Sequence, residues 1–439
     1  MKRFVIFLLL SGLFAGICSA QEKLSLDQSI QIAFEQSPRV LKARAEIKAA
    51  EGAAGQARAG YLPQISLAGS FGKYYAKPMT VEMNFGGSPQ IFTYGTSEEA
   101  DTTSYSLSLS QSLFTGGKLS NSLGMAMKGI DIAKAEYRRV AEEVKFNVIN
   151  GYYEVLRARK LTDLSAQSVK MAKSHLERIQ ALISVGMSTR ADRLRGEVQL
   201  ANAEVGLTKA RQGLEIAKNY FNNVLGRDLG EPVDLAEVEY GPDGVTVYDY
   251  KDLLEIAYAS RPDWEQFNLT RKISEDEVGL ARSEFWPMIA LVGSYDIGST
   301  RYPSYTNDTE TWMAMVSGTW NIFDGTATWN KIKESQAKLE ANRANESGVR
   351  KGIALEVKDA NFALRSAKEN LAGTRKALDL AEENFKIADL RYNSGVGTNL
   401  DVIDAQVAVT RARIDHLQSQ HDLQIAQARI NKVIGRKIY

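Results

Sequence analysis

The chain has 439 residues, with 54 Lys+Arg against 53 Asp+Glu, 3 His and one Cys. A formal charge of +1 without a long basic block excludes a phosphate-tracking nucleic-acid surface, and one cysteine excludes a disulfide scaffold or a thiolate metal cluster. Hydrophobic residues at 44% and charged ones at 24% fit a folded chain, and beyond the extreme N-terminus no apolar run approaches the roughly 18–20 residues of a transmembrane helix.

The first 20 residues have the layout of an export signal. Lys2 and Arg3 precede an apolar run from Phe4 to Phe14, and Ser19-Ala20 supplies a small-residue cleavage site before Gln21. Cys18 lies inside this segment, where Ile17 is too large for a good lipoprotein processing site. Cleavage leaves a chain with no cysteine, as suits an oxidising compartment.

Residues 21–227 read as a helix, a β-hairpin over 62–114 and a helical hairpin over 118–225 that reverses at 185–189. Ile65, Leu67, Gly69 and Phe71 alternate with Ser66, Ala68 and Ser70, and Tyr105, Leu107 and Leu109 alternate with Ser106, Ser108 and Ser110. Between them, about 72 to 104, the Gly-, Thr- and Tyr-rich stretch Met83 to Ser104 predicts a long exposed loop. No proline falls between residues 90 and 231 or between 304 and 439. A helix over 118–184 would run about 100 Å at 1.5 Å per residue. Val169, Ala172, Leu176, Ile179 and Ile183 step 3-4-3-4, as do Leu200, Ala203, Leu207, Ala210, Leu214, Ala217, Phe221 and Val224 on the return arm, the seam of an antiparallel coiled-coil hairpin.

Residues 228–250, with Pro232, Gly241, Pro242 and Gly244, read as a linker or equatorial segment. Residues 251–439 then repeat the pattern, with a β-hairpin over 287–323 and a helical hairpin over 326–434 that reverses at 394–398. Leu378, Ala381, Phe385, Ala388 and Tyr392 carry its first seam. Val409, Ala412, His416, Ser419, Leu423, Ala426, Ile430 and Val433 carry the second.

The chain is therefore an internal duplication. Ala57 to Phe71 aligns without gaps to Ala281 to Tyr295 at an offset of 224, which also pairs Gly55 with Gly279. Further on the offset is 209, pairing Gly116 with Gly325, Gly186 with Gly395, Thr189 with Thr398 and Asp192 with Asp401. The difference falls in the 72–104 loop.

Strands of about ten residues, apolar on one face and polar on the other, suit either a transmembrane β-barrel or a half-buried soluble sheet. Four strands are too few to close a membrane barrel, so a barrel must be shared among chains. Trp286, Trp312, Trp320 and Trp329 suit a membrane-interface belt or packing near one. An exported periplasmic coiled-coil scaffold without a pore is the competing class, although such adaptors usually carry one hairpin and lack paired strands. An enzyme is not expected: no Gly-x-Ser-x-Gly or His-Glu-x-x-His occurs, and Gly116-Gly117-Lys118-Leu119 lacks the Ser/Thr of a phosphate loop. His416 and His421 are five apart and His175 lies at another level, so neither a metal site nor a cofactor is expected.

Tyr392-Asn393-Ser394-Gly395-Val396-Gly397-Thr398-Asn399-Leu400-Asp401-Val402-Ile403-Asp404-Ala405-Gln406 resembles the tip segment of the TolC family of outer-membrane efflux proteins, Tyr-x-x-Gly-x-x-[Ser/Thr]-x-x-Asp-Val-Leu-x-Ala. The Ala-Arg-x-x-[aromatic]-x-Pro lead-in to each β-hairpin is similar to the family too, and the likeness runs from about Leu24 to Arg436. It implies an α+β membrane protein in which three chains share a twelve-stranded outer-membrane β-barrel and their duplicated helical hairpins form a long α-barrel through the periplasm. It further implies a passive exit duct of a tripartite efflux or type I secretion system, whose partners are a homotrimer's other copies, a periplasmic adaptor, an inner-membrane pump and outer-membrane lipid, with no nucleic acid.

Candidate site residues sit at the hairpin tips. Asp401 and Asp404 share a helix face, and the resemblance places them at the periplasmic constriction, where a carboxylate ring favours cations. Read from the residues alone, Thr398-x-x-Asp401 and Thr189-x-x-Asp192 are capping boxes, and Asp404 is an ordinary solvated acid. Tyr392 lies on the seam; the resemblance makes it a lock whose natural partner is Asp192, and core packing is the plain alternative. Gly397 stands where the best-known member has an arginine, for which Arg190 is the candidate substitute. The resemblance assigns adaptor docking to the tips Val185, Gly186, Met187, Ser188, Thr189 and Gly395, Val396, Gly397, Thr398, whose glycines the reversal itself requires.

Overall fold

The computed structural model describes residues 23–75, 77–94, 99–237, 248–303 and 305–437. The expected signal segment, with Cys18, lies outside the described residues, as do residues 238–247 of the linker. No described helix is long and apolar enough to cross a membrane.

The chain forms two compact units that cut across the repeats. Each repeat contributes to both, because two 67-residue helices, α3 (Lys118–Ser184) and α7 (Ala327–Asn393), run through both.

The first unit comprises residues 1–42, 140–260 and 354–439. Its helices are α1 (Leu26–Gln36), α4 (Arg190–Leu225), α5 (Tyr250–Ser260) and α8 (Asn399–Ile434), with the distal parts of α3 and α7. Every heptad-seam residue named above is buried or half-buried, and Ile179, Phe221 and Val409 are almost wholly so. Small alanines on the seam, Ala172, Ala210, Ala217, Ala388 and Ala426, let the helices approach closely. Residues 228–237 pack rather than trail. Leu235 is buried and bridges to Leu24, and the fully buried Tyr152 donates its hydroxyl to the carbonyls of Ala236 (2.7 Å) and Leu24 (3.2 Å). Burial, helped by the neighbouring Tyr153, pushes the Tyr152 phenol up to about 12.

The second unit comprises residues 43–139 and 261–353. It holds most of α2 (Pro38–Ala59), α6 (Pro262–Ser283), the proximal parts of α3 and α7, and six strands. β1 (Gln64–Tyr75), β4 (Glu99–Phe114), β5 (Met288–Arg301) and β6 (Thr306–Thr319) form one antiparallel sheet in the order β1-β4-β5-β6. The expected loop over 72–104 is largely strand. β1 and β4 stay paired out to Tyr75↔Glu99, and between them β2 (Met79–Phe85) and β3 (Ser88–Tyr94) form a separate hairpin. Gly86 and Gly87, at φ +62° and +92°, supply its two-residue turn. Composition misled here because Gly, Thr and Tyr also suit a two-stranded ribbon, where turn glycines flank β-favouring residues.

The sheet's register assembles two faces. Ile65↔Leu109, Leu67↔Leu107, Leu107↔Tyr295, Tyr105↔Ile297, Tyr295↔Trp312 and Leu291↔Val316 place one continuous apolar surface on a single side. Leu67, Phe71 and Trp312 are about three-quarters exposed in the single chain, 75%, 76% and 77%. The opposite face is rich in hydroxyls on β1 and β4, with Val292, Met313 and Met315 beside them on β5 and β6: Ser66 bonds Ser108 at 2.6 Å, Ser70 bonds Ser104 at 2.7 Å, and Asp296 accepts from Ser294 at 2.9 Å.

The strand-to-helix joints differ in a telling way. Gly116 and Gly117 lead into α3 at φ +62° and +94°, while the second joint uses Gly325 at +67° and Thr326 at +73°. A β-branched residue there carries strain. It is tolerated beside Asp324, whose carboxylate accepts from the Thr328 amide (2.8 Å) and hydroxyl (2.5 Å) and caps α7.

Candidate gate at the hairpin tips

The two reversals in the first unit are built alike. After α3, Gly186 adopts φ +76° and the Met187 amide donates back to Leu182 O at 2.8 Å. After α7, Gly395 adopts φ +74°, and the amides of Val396 and Gly397 both reach Arg391 O at 3.0 Å. A side chain at Gly397 would sit 2.8 Å from the Tyr392 amide nitrogen, so an arginine here would force the turn apart. Val185, Met187 and Val396 are about 70% exposed (67%, 70% and 71%).

Each return helix opens with a complete capping box. Thr189 and Asp192 cap α4, and Thr398 and Asp401 cap α8. Repeat symmetry ends there. Position 190 of the first repeat corresponds to 399 of the second; Arg190 is exposed and forms no ion pair among the described residues, whereas Asn399 is buried. Asn399 bonds in two directions. Its Nδ2 donates to Asp192 Oδ1 at 3.2 Å on α4, and its Oδ1 lies 2.7 Å from His175 Nε2 on α3. Because the amide donates to a carboxylate, its oxygen must accept, which makes His175 the Nε2–H tautomer. Asn399 thereby ties the second hairpin to both arms of the first.

His175 is 1% exposed, and its Nδ1 has no hydrogen-bond partner among the described residues. Tyr392 packs its ring against the imidazole, centroids 5.4 Å apart at 60°. One turn on, Arg178 lies 2.9 Å from Asp389 and donates to Asn393 Oδ1 at 3.2 Å, a second link between α3 and α7. The guanidinium N–H is aimed at Asn393, so Asp389 Oδ1 has charge contact without a hydrogen bond.

The expected site residues thus fall into two groups. Asp192 is drawn into the cluster: it accepts from Thr189 Oγ1 (2.6 Å), the Thr189 amide (3.1 Å), Ser188 Oγ (3.3 Å) and Asn399. These bonds, the Thr189 hydroxyl first, hold its carboxyl below the usual range. The Tyr392 hydroxyl is buried near Ser188 and Asp192 but closes no hydrogen bond of good geometry in the single chain, and burial raises its pKa. Asp401 bonds only its own cap, which lowers its pKa, and Asp404 is exposed. Both are exposed in the single chain. His175, Asn399, Arg178 and Asp389 were not foreseen. The one available signal was the repeat itself, since Asn399 breaks the correspondence with Arg190.

His175 titrates against this packing. Burial holds its pKa below the ordinary 6.5 with help from Arg178, opposed by the Asn399 bond and the Asp389 charge. A depressed histidine pKa means the tip packed as here binds fewer protons than one in which His175 meets water. Its stabilisation is complete above pH ~6.5 and is lost as pH falls below that value. Asp192 acts in the same sense only in the carboxylate range, because its stabilisation fades as pH falls through about 4. Should these tips close a channel, its conductance is expected to rise on moving from about pH 7.5 to 5.5. In His175→Gln, which keeps a donor without the titration, that rise is expected to be absent.

Among the described residues no group of His, Cys, Asp and Glu can hold a metal ion.

The profile of the outer membrane efflux protein family matches residues 29–227 and 253–436. Protein CyaE of Bordetella pertussis is 23% identical over 398 residues, covering 90% of this chain and 81% of that protein. Outer membrane protein TolC of Vibrio cholerae is 20% identical over 432 residues, 98% of this chain and 94% of that one. The crystal structure of CusC superposes with a TM-score of 0.79 at 16% identity, covering 94% of this chain and 92% of that one, and so shares the fold. The α+β channel fold expected from the sequence is the one found, and the chain belongs to the outer membrane efflux protein family.

Proposed function

We propose that three copies of the chain form the exit duct of a tripartite efflux or secretion assembly, closed at its periplasmic end by the hairpin tips. The four-stranded sheet carries the observation that supports this reading: one face is apolar and exposed in the single chain, the other is rich in hydroxyls, and β1 and β6 are both open edges. Such a sheet needs lipid outside, water inside and neighbours at both edges. In three copies the exposed Asp401 and Asp404 make stacked carboxylate rings, and the exposed Val185, Met187 and Val396 present an apolar rim to a periplasmic adaptor. Asp192 and Tyr392 belong to the latch that sets tip separation, while Arg190 is exposed and outside it. Members of the family are channels, and the duct is a conduit that catalyses nothing.

Charge is separable from capping. Asn accepts the cap hydrogen bond as Asp does, so Asp401→Asn with Asp404→Asn removes the ring charge and keeps the α8 start. In planar bilayers across a salt gradient, the double variant is expected to lose more than half of the cation-selective reversal potential. An unchanged potential sinks the gate assignment.

A further inference from the structure

The two hairpins of the four-stranded sheet share one register. Gly72↔Thr102, Ser70↔Ser104 and Ala68↔Ser106 in the first repeat correspond to Asp296↔Thr311, Ser294↔Met313 and Val292↔Met315 in the second. All of these residues lie on the hydroxyl-bearing face. At this level the second hairpin therefore carries a carboxylate in place of Gly72 and thioethers in place of Ser104 and Ser106.

Among the described residues of the sheet, Asp296 is the only charged side chain on this face. The other six on its strands, Lys73, Glu99, Asp101, Arg301, Asp308 and Glu310, fall on the opposite face by register. No base on this face is at hand to neutralise Asp296. Its carboxylate accepts from Ser294 at 2.9 Å, on its own strand. The equivalent Ser70 bonds across to Ser104 at 2.7 Å, a partner that methionine at 313 takes away from Ser294. Met313 and Met315 are each 46% exposed, so two apolar thioethers stand in water among hydroxyls. Met313 is the diagonal cross-strand neighbour of Asp296, at a spacing of about 7–8 Å that long side chains bridge, and Met315 follows one step along the same face.

We infer that Asp296, Met313 and Met315 form a binding site for cations with an apolar body, such as quaternary or aromatic nitrogen cations, on the inner wall of the duct. The carboxylate meets the charge, and the flexible, polarisable thioethers cover the apolar part. A small hydrated metal ion gains nothing from the methionines, and an anion finds no base on this face. The site belongs to the second unit, whereas the acidic tips belong to the first. That this face is the inner wall rests on the duct reading given above; the site itself needs one hairpin of one chain.

Ethidium, a monovalent aromatic cation, is the probe, followed by fluorescence anisotropy against the purified protein at low salt. The Asp401→Asn, Asp404→Asn background removes the tips as a competing site, and saturable binding is expected to persist in it. Asp296→Asn keeps an acceptor for Ser294 and is expected to weaken binding by at least about tenfold, the effect of one lost charge contact. Met313→Ser with Met315→Ser restores the residues of the first hairpin, so the sheet keeps its register, and is expected to weaken binding about fivefold through lost apolar contact. Met313→Leu with Met315→Leu is expected to bind nearly as the parent does. Absence of saturable binding, or binding unaltered by Asp296→Asn or by the paired serines, overturns the site. A channel in planar bilayers without an ethidium site overturns this inference and leaves the duct standing. An ethidium site with these sensitivities on protein that forms no channel leaves the site standing and overturns the duct.

Discussion

Asn399→Ala is expected to open the tip. The substitution leaves the buried His175 Nε2–H without its acceptor and removes one donor from the half-exposed Asp192, which keeps its Thr189 and Ser188 donors. One stranded buried group costs about 1–3 kcal/mol, so the closed tip should lose ~2 kcal/mol relative to the separated one, a shift of roughly thirty-fold in that equilibrium. The observable is single-channel conductance, with more frequent or longer wide openings. Arg190→Ala, at the repeat-equivalent position, is the matched comparison. Arg190 is exposed and unpaired among the described residues, so this variant should leave conductance unaltered. Equal effects from the two substitutions would mean that the latch does not run through Asn399.

The second large effect belongs to the sheet. Leu67→Arg puts a guanidinium on the apolar face, where Leu67 is flanked by Leu107 and then Tyr295 across the strands. A charge near the bilayer midplane on the lipid face costs about 2–4 kcal/mol per chain, tripled in a trimer. Assembly in the outer membrane should drop sharply. Ser66→Arg, one residue away and on the hydroxyl-rich face, should insert normally and alter conductance instead. Membrane fractionation decides between them. The reverse pattern would place lipid on the other side of the sheet.

How far the sequence reaches depends on what kind of interaction carries each element. Period-2 alternation and heptads report backbone geometry directly, so the sheet faces and the seam from Val169 to Ile183 were legible, as was the duplication. The 72–104 stretch was not. A two-stranded ribbon with glycines at its turn has the same composition as an irregular loop, and only the pairing of β2 with β3 separates them. The capping boxes at Thr189 and Thr398 were legible because a cap is local. The latch was not, because His175, Asn399 and Asp192 lie on three helices, and nothing in linear spacing brings them together. Repeat comparison held the one clue, the replacement of an exposed arginine in one tip by a buried asparagine in the other.

The central claim, that this chain forms an outer-membrane duct closed by an acidic tip, is tested most directly by the purified protein in a planar bilayer across a salt gradient. The account predicts a small conductance with a cation-selective reversal potential near neutral pH. Protein that stays in solution without detergent and forms no channel, or a wide channel that prefers anions, would contradict it.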